Sequence, residues 1–156
     1  MIRPQIRLAT DERGASIIEL ALVMPFFAAL IIGVVDLSRA YSAKLQLEQA
    51  AYRAIEKVQG YHASESTYDT LQNEATSAAT DAGFSNATVT IDYWLECDGA
   101  RQTVYDTSCT SGQVQARWIN VDVAGTFTPM FASRAWPGAN QDGTFTLHGK
   151  AGLRTQ

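Results

Sequence analysis

Residues 15–35 carry one ionisable side chain, Glu19, in an otherwise uncharged and mostly apolar run of 21 residues. At ~1.5 Å per residue a helix of that length is about 31 Å long, which matches the hydrocarbon thickness of a bilayer. Residues 20–35 are apolar on every side of such a helix rather than along one stripe, which argues against a core helix of a soluble protein. A cleaved secretory signal competes, but its apolar core is normally ~7–15 residues long and followed by a small-x-small site. Here the run is longer, and the nearest such pattern is the imperfect Ser38-Arg39-Ala40. The expectation is a retained membrane helix over 15–35.

Glu19 then needs an explanation, because a charge costs roughly 2.5–3.5 kcal/mol at the centre of a membrane helix. Two readings stay open. The carboxylate can snorkel to the interface, one turn away. Alternatively, if the chain is cut after Gly14, the new ammonium at Ala15 lies at i−4 from Glu19. A contact within one copy is awkward along the axis, whereas the ammonium of a neighbouring copy could meet the carboxylate and fix the stagger between subunits.

With the span set aside, a chain of 156 residues leaves room for one small domain. The net charge of −4 comes without a Lys/Arg block, so nucleic acid is not expected as a partner. Arg3, Arg7 and Arg13 precede the span and Arg39, Lys44 and Arg53 follow it, so counting cations does not orient it. Cys97 and Cys109, the only cysteines, sit in the polar stretch ECDGARQTVYDTSC without a neighbouring histidine that could complete a zinc site. The expectation is a disulfide, which places the C-terminal domain in an oxidising compartment.

Beyond residue 35 the helical period continues, with Leu37, Tyr41, Leu47, Ala51, Ala54, Ile55 and Val58 near one stripe and no Gly or Pro before Gly60. One helix from about residue 15 to 59 follows, roughly 65–70 Å long, loosened where Pro25 breaks the hydrogen-bond ladder. Ser66 with Asp69 resembles a capping box for a second helix that carries Tyr68, Leu71, Ala75, Ala78, Ala79 and Ala82 on one face and stops at Gly83. The period then changes to two in ATVTIDYWLE, ARWINVDVAGTF and TFTLHGKAGL. These predict about three antiparallel strands packed on the second half of the long helix, an α+β fold.

No set of residues points to catalysis, a metal site or a cofactor. His62 and His148 lack a partner motif, no serine sits in a G-x-S-x-G elbow, and no glycine-rich phosphate loop occurs. Trp94 and Trp118 fall on the face of the sheet away from the core, where they pair across strands or meet a partner subunit; a small-molecule groove lined by Trp94, Trp118 and Trp136 is the weaker alternative.

RGASIIELALVMPFF, residues 13–27, resembles the class III prepilin start of TadE-like minor pilins (pseudopilins) of the tight-adherence, or Flp, pilus system. The matching positions are Gly14, Ala15, Glu19, Ala21, Leu22, Val23 and Pro25. GVVDLSRAYSAKLQLEQAAYRAI and the closing FTLHGKAGLRTQ are similar to the family's continuing helix and last strand. The resemblance implies a leader, residues 1–14, removed by a prepilin peptidase between Gly14 and Ala15. It implies a single-pass helix over 15–35 in the bacterial inner membrane, with Glu19 and Pro25 serving assembly and register. Residues 36–156 would form a periplasmic or surface-exposed pilin-like domain. Its partners would be the major pilin, other minor pilins and the inner-membrane assembly machinery. Rival readings are a signal-anchored binding or sensor domain and, with less support, a tethered hydrolase.

Overall fold

A computed structural model describes residues 13–59 and 66–155 of the chain, which divides into two compact units, Met1–Ser38 and Arg39–Gln156. The expected leader up to residue 12, the Gly60 cap and His62 lie outside the described residues, as do the side chains of Val58, Ser66, Tyr68 and Asp69.

The described part of the first unit is helical and belongs to α1 (Arg13–Gln59). Every side chain from residue 16 to residue 31 is exposed, including Phe26 at 77%. Large apolar groups such as Ile17, Leu20, Met24, Phe27 and Ile31 point in all directions around the axis, a distribution suited to lipid rather than water. The helix has the length and composition to cross a membrane. It runs unbroken through Pro25, which leaves the Ala21 carbonyl without its i+4 donor.

In the second unit a helical layer covers one face of a sheet. The elements after α1 are α2 (Ser66–Asp81), β1 (Thr88–Cys97), β2 (Ala100–Arg101), β3 (Gln115–Phe127) and β4 (Phe145–Arg154). The sheet is antiparallel throughout, in the order β2-β1-β3-β4. The three expected strands are present, and a fourth, two-residue strand joins them. Asp98 and Gly99, with φ of 52° and 81°, turn β1 into β2 as a two-residue hairpin. Two successive positive φ values twist a tight turn in the sense the strands require, and Asp-Gly is a preferred pair for it.

Alternation along the strands sets the inner face: Leu95, Ile119, Val121, Val123 and Ala151 are buried, and Val89, Ile91, Tyr93, Leu147 and Leu153 pack around them. From α1 the core receives Leu47, Ala50, Ala51, Ala54 and Ile55, with Ala43 also buried. The expected stripe is corrected at its start, since Leu37 and Tyr41 are exposed. At 3.6 residues per turn they are rotated by about 80° and about 120° from Leu47, off the buried face. The alanines let α1 lie close to the sheet, and closest at two glycines. A Cβ on Gly125 would meet Phe84 Cδ1 at 2.7 Å and Leu47 Cδ2 at 3.0 Å, while one on Gly149 would fall on the backbone of Leu47 and Glu48.

α2 adds Leu71, Ala75, Ala78 and Ala79 to the same core, as its period predicts, while Ala82 past its end is half-buried. It ends as expected at Gly83, whose φ is 94°. Phe84 N donates to Ala79 O and Gly83 N to Thr80 O, both at 2.9 Å, a Schellman motif that satisfies the last carbonyls and turns Phe84 onto the core.

Cys97 and Cys109 are bonded, with Cα atoms 5.6 Å apart. The bridge holds the irregular segment against the end of β1, and within that segment Tyr105 is buried edge-on to Tyr93 at 5.2 Å between ring centroids. Closing so short a loop stabilises by about 3 kcal/mol through the unfolded chain's entropy. The Cys97→Ser/Cys109→Ser variant is therefore expected to lose about 2–4 kcal/mol in denaturant unfolding, and reductant should lower the wild type alone by a similar amount.

Candidate functional site

The sequence-predicted processing and register residues all fall on α1. Gly14 and Ala15 lie in its first turn, so a new amino terminus at Ala15 would sit at the helix start. Glu19 follows four residues later, about 6 Å along the axis, and is exposed among apolar neighbours such as Ile17, Ile18 and Leu22. Pro25 lies a further six residues along the same helix. The arrangement is a carboxylate close to the beginning of an apolar helical stretch, residues 16–31, whose side chains are all exposed.

The second surface is the outer face of the sheet. Trp94 and Trp118 occupy opposed positions on β1 and β3, as their alternation predicts, and their rings stack at 6.1 Å with an interplanar angle of 13°. Both indoles donate to one carboxylate: Trp94 Nε1 to Glu96 Oε1 at 2.7 Å and Trp118 Nε1 to Glu96 Oε2 at 3.0 Å. The Arg101 guanidinium lies 4.7 Å from the Trp94 ring centroid and donates to both Asp92 oxygens, at 2.7 and 3.3 Å. Each indole N–H is thus spent inside the face, which makes the aromatic pair a rigid, half-buried platform rather than a set of donors converging on a small ligand.

The β4 side of this face centres on Asp122, which accepts from Lys150 Nζ at 3.1 Å and meets His148 Nδ1 at 2.9 Å. Burial alone would raise the Asp122 carboxyl, but the hydrogen bonds and charges of His148 and Lys150 outweigh it and hold it below the ordinary carboxylate value. A lowered native pKa contributes stability above the unfolded value of about 4, and that contribution is lost as pH falls through the lower native value. Asp122→Asn should therefore be less stable than wild type at neutral pH and lose less below about pH 4, as read by urea midpoints across pH.

His148, although half exposed, is thus tied to Asp122. Between α1 and α2 lies an open cleft of about 430 Å³, edged by Arg53, Glu56, Lys57, Glu74 and Asp81 and crossed by the Lys57–Glu74 ion pair. Among the described residues no group of three His, Cys, Asp or Glu side chains is placed to hold a metal ion.

Sequence reasoning found the tryptophans but missed the carboxylate that locks them. The signal was present, since Glu96 is two residues beyond Trp94 and therefore on the same side of β1. Arg101 could be placed only once the Asp98-Gly99 turn folded β2 back along β1.

These features define a class: a helix-on-sheet domain, closed by a disulfide, whose leading helix begins with a segment able to span a membrane. Residues 14–55 match the family model described as TadE-like protein, so the resemblance read from the sequence is met over α1, starting at Gly14. Comparison with curated proteins and with solved structures returns no match. The family match and the apolar helix together fit a membrane-anchored protein associated with the Tad pilus.

Proposed function

We propose that this chain is a minor pilin, or pseudopilin, of the Tad (Flp) pilus system that works by packing rather than by catalysis. A prepilin peptidase removes residues 1–14 on the cytoplasmic side of the inner membrane. The mature chain keeps the helix from Ala15 in the bilayer and its disulfide-closed domain in the periplasm or on the pilus. It joins the major pilin, other minor pilins and the inner-membrane machinery in assembly or initiation, and so serves surface adhesion. Neither a cofactor nor a metal enters this role. One observation carries the reading: the family match begins at Gly14 and takes in Ala15, Glu19 and Pro25 on a helix whose side chains from residue 16 to residue 31 are all exposed.

The bond after Gly14 can be tested directly. A β-branched side chain at the position before the scissile bond should exclude the chain from the peptidase. Gly14→Val is expected to leave the full-length precursor in the membrane, with mature protein reduced at least about tenfold, a loss of ~1.4 kcal/mol or more in transition-state binding. Normal maturation of the variant would remove Gly14 from the site.

A further inference from the structure

We infer that the connection between β3 and β4, residues 128–144, is a lipid-contacting loop that rests on the phospholipid interface of the membrane holding α1. The inference depends on the reading of α1 as a membrane helix.

Three large apolar side chains stand out from this loop: Met130 at 58% exposure, Phe131 at 61% and Trp136 at 54%. The loop is ordered by its own bonds. Trp136 Nε1 donates to Phe131 O at 3.2 Å, which ties the two aromatic positions together. Asn140 N donates to Thr144 O at 2.8 Å, and the Gly143 turn, with φ of 81°, seats against Ala132 and Ser133. Pro129 and Pro137 further restrict the backbone. A built loop that presents apolar groups outward calls for something to cover them.

Its place in the fold selects the occupant. The loop leaves β3 at Phe127 and re-enters the sheet at Phe145. Phe127 lies under the guanidinium of Arg39, 5.7 Å from its ring centroid. Arg39 is the first residue of the second unit and follows Val35, the last residue of the apolar run, by four residues of continuous helix, about 6 Å. The loop therefore springs from the end of the second unit that holds its first residue, Arg39. Trp and Phe are the side chains that favour the headgroup level, the indole keeping a polar edge while its body enters the apolar boundary. The loop's charged residues are one cation, Arg134, and one anion, Asp142, so it carries no net charge and suits a zwitterionic phosphatidylcholine or phosphatidylethanolamine surface.

The test uses the full chain labelled with fluorotryptophan in phosphatidylcholine nanodiscs. Its three tryptophans give three fluorine lines. The Trp136 line is assigned by its loss in Trp136→Phe and checked by the loss of a different line in Trp94→Phe. Phosphatidylcholine carrying a nitroxide near the headgroup is then introduced. The Trp136 line should broaden at least about twofold while those of Trp94 and Trp118 on the sheet do not. A Trp136 line that broadens no more than the other two would overturn the inference and leave the loop to a protein partner or to solvent. Incorporation into the nanodisc is scored separately by co-migration. A chain that fails to enter the disc overturns the membrane reading of α1, and this inference with it.

Discussion

Gly149→Val is expected to leave the second unit unfolded. Gly149 stands on β4 opposite Val123, on the inner face, where a Cβ would land on the carbonyl carbon and oxygen of Leu47 and on the amide of Glu48. Those are backbone atoms in the middle of a helix, with no rotamer to change. To admit even one methyl, α1 must move off the sheet, and it would take Leu47, Ala50 and Ala51 out of contact with Val121 and Val123. Overpacking typically costs 1–3 kcal/mol when side chains can yield, so a clash with helix backbone should exceed about 4 kcal/mol. A loss of that size approaches the low end of domain stability, about 5–15 kcal/mol, where a domain this small is expected to lie. Gly125→Ala is the control, because its Cβ meets only the ends of Phe84 and Leu47, which can shift at a cost of about 1–2 kcal/mol. Protease resistance and urea unfolding of the two variants check the contrast. A Gly149→Ala variant within about 1 kcal/mol of wild type would mean that the close approach of helix and strand is not required.

Glu19→Leu is expected to remove surface pili, at least about tenfold by filament count, while the protein accumulates in the membrane at wild-type level. The two halves of this result have opposite causes. Leucine enters a bilayer more readily than a carboxylate by roughly 3 kcal/mol, so anchoring should improve and not fail. What is lost, on the proposed role, is the charge that meets the Ala15 ammonium of an adjacent subunit and sets its stagger. Breaking such a pair within lipid leaves the surviving ammonium uncompensated, at a cost of about 3–5 kcal/mol. Wild-type piliation by Glu19→Leu would instead favour a simple anchor whose carboxylate snorkels.

Much of this architecture is legible in the chain because its signals are local and periodic. The uniform apolarity of residues 20–35, the alternation in the three long strands and Gly83 at the end of α2 each follow from neighbours a few positions apart. The stacking of Trp94 on Trp118 was also accessible, since both fall on the polar side of their strands. What escaped depends on contacts distant in sequence, or on the phase of a long helix. Leu37 and Tyr41 look like part of the core stripe until the alanines at 43, 50 and 54 fix which side of α1 meets the sheet. The roles of Gly125 and Gly149 arise only when α1 is laid against β3 and β4, because nothing in an isolated strand marks a glycine as a point of close approach. Asp98-Gly99 was a readable turn, obscured by the polar, cysteine-bearing loop around it.

The central claim is that the mature chain begins at the start of the apolar helix. Intact mass and N-terminal sequencing of the protein recovered from its own cell membranes test it most directly. A chain beginning at Ala15 is the result this account predicts. A chain beginning at Met1 would contradict it and leave a plain signal anchor, and one beginning near Tyr41 would contradict it by showing that the helix is a secretory signal.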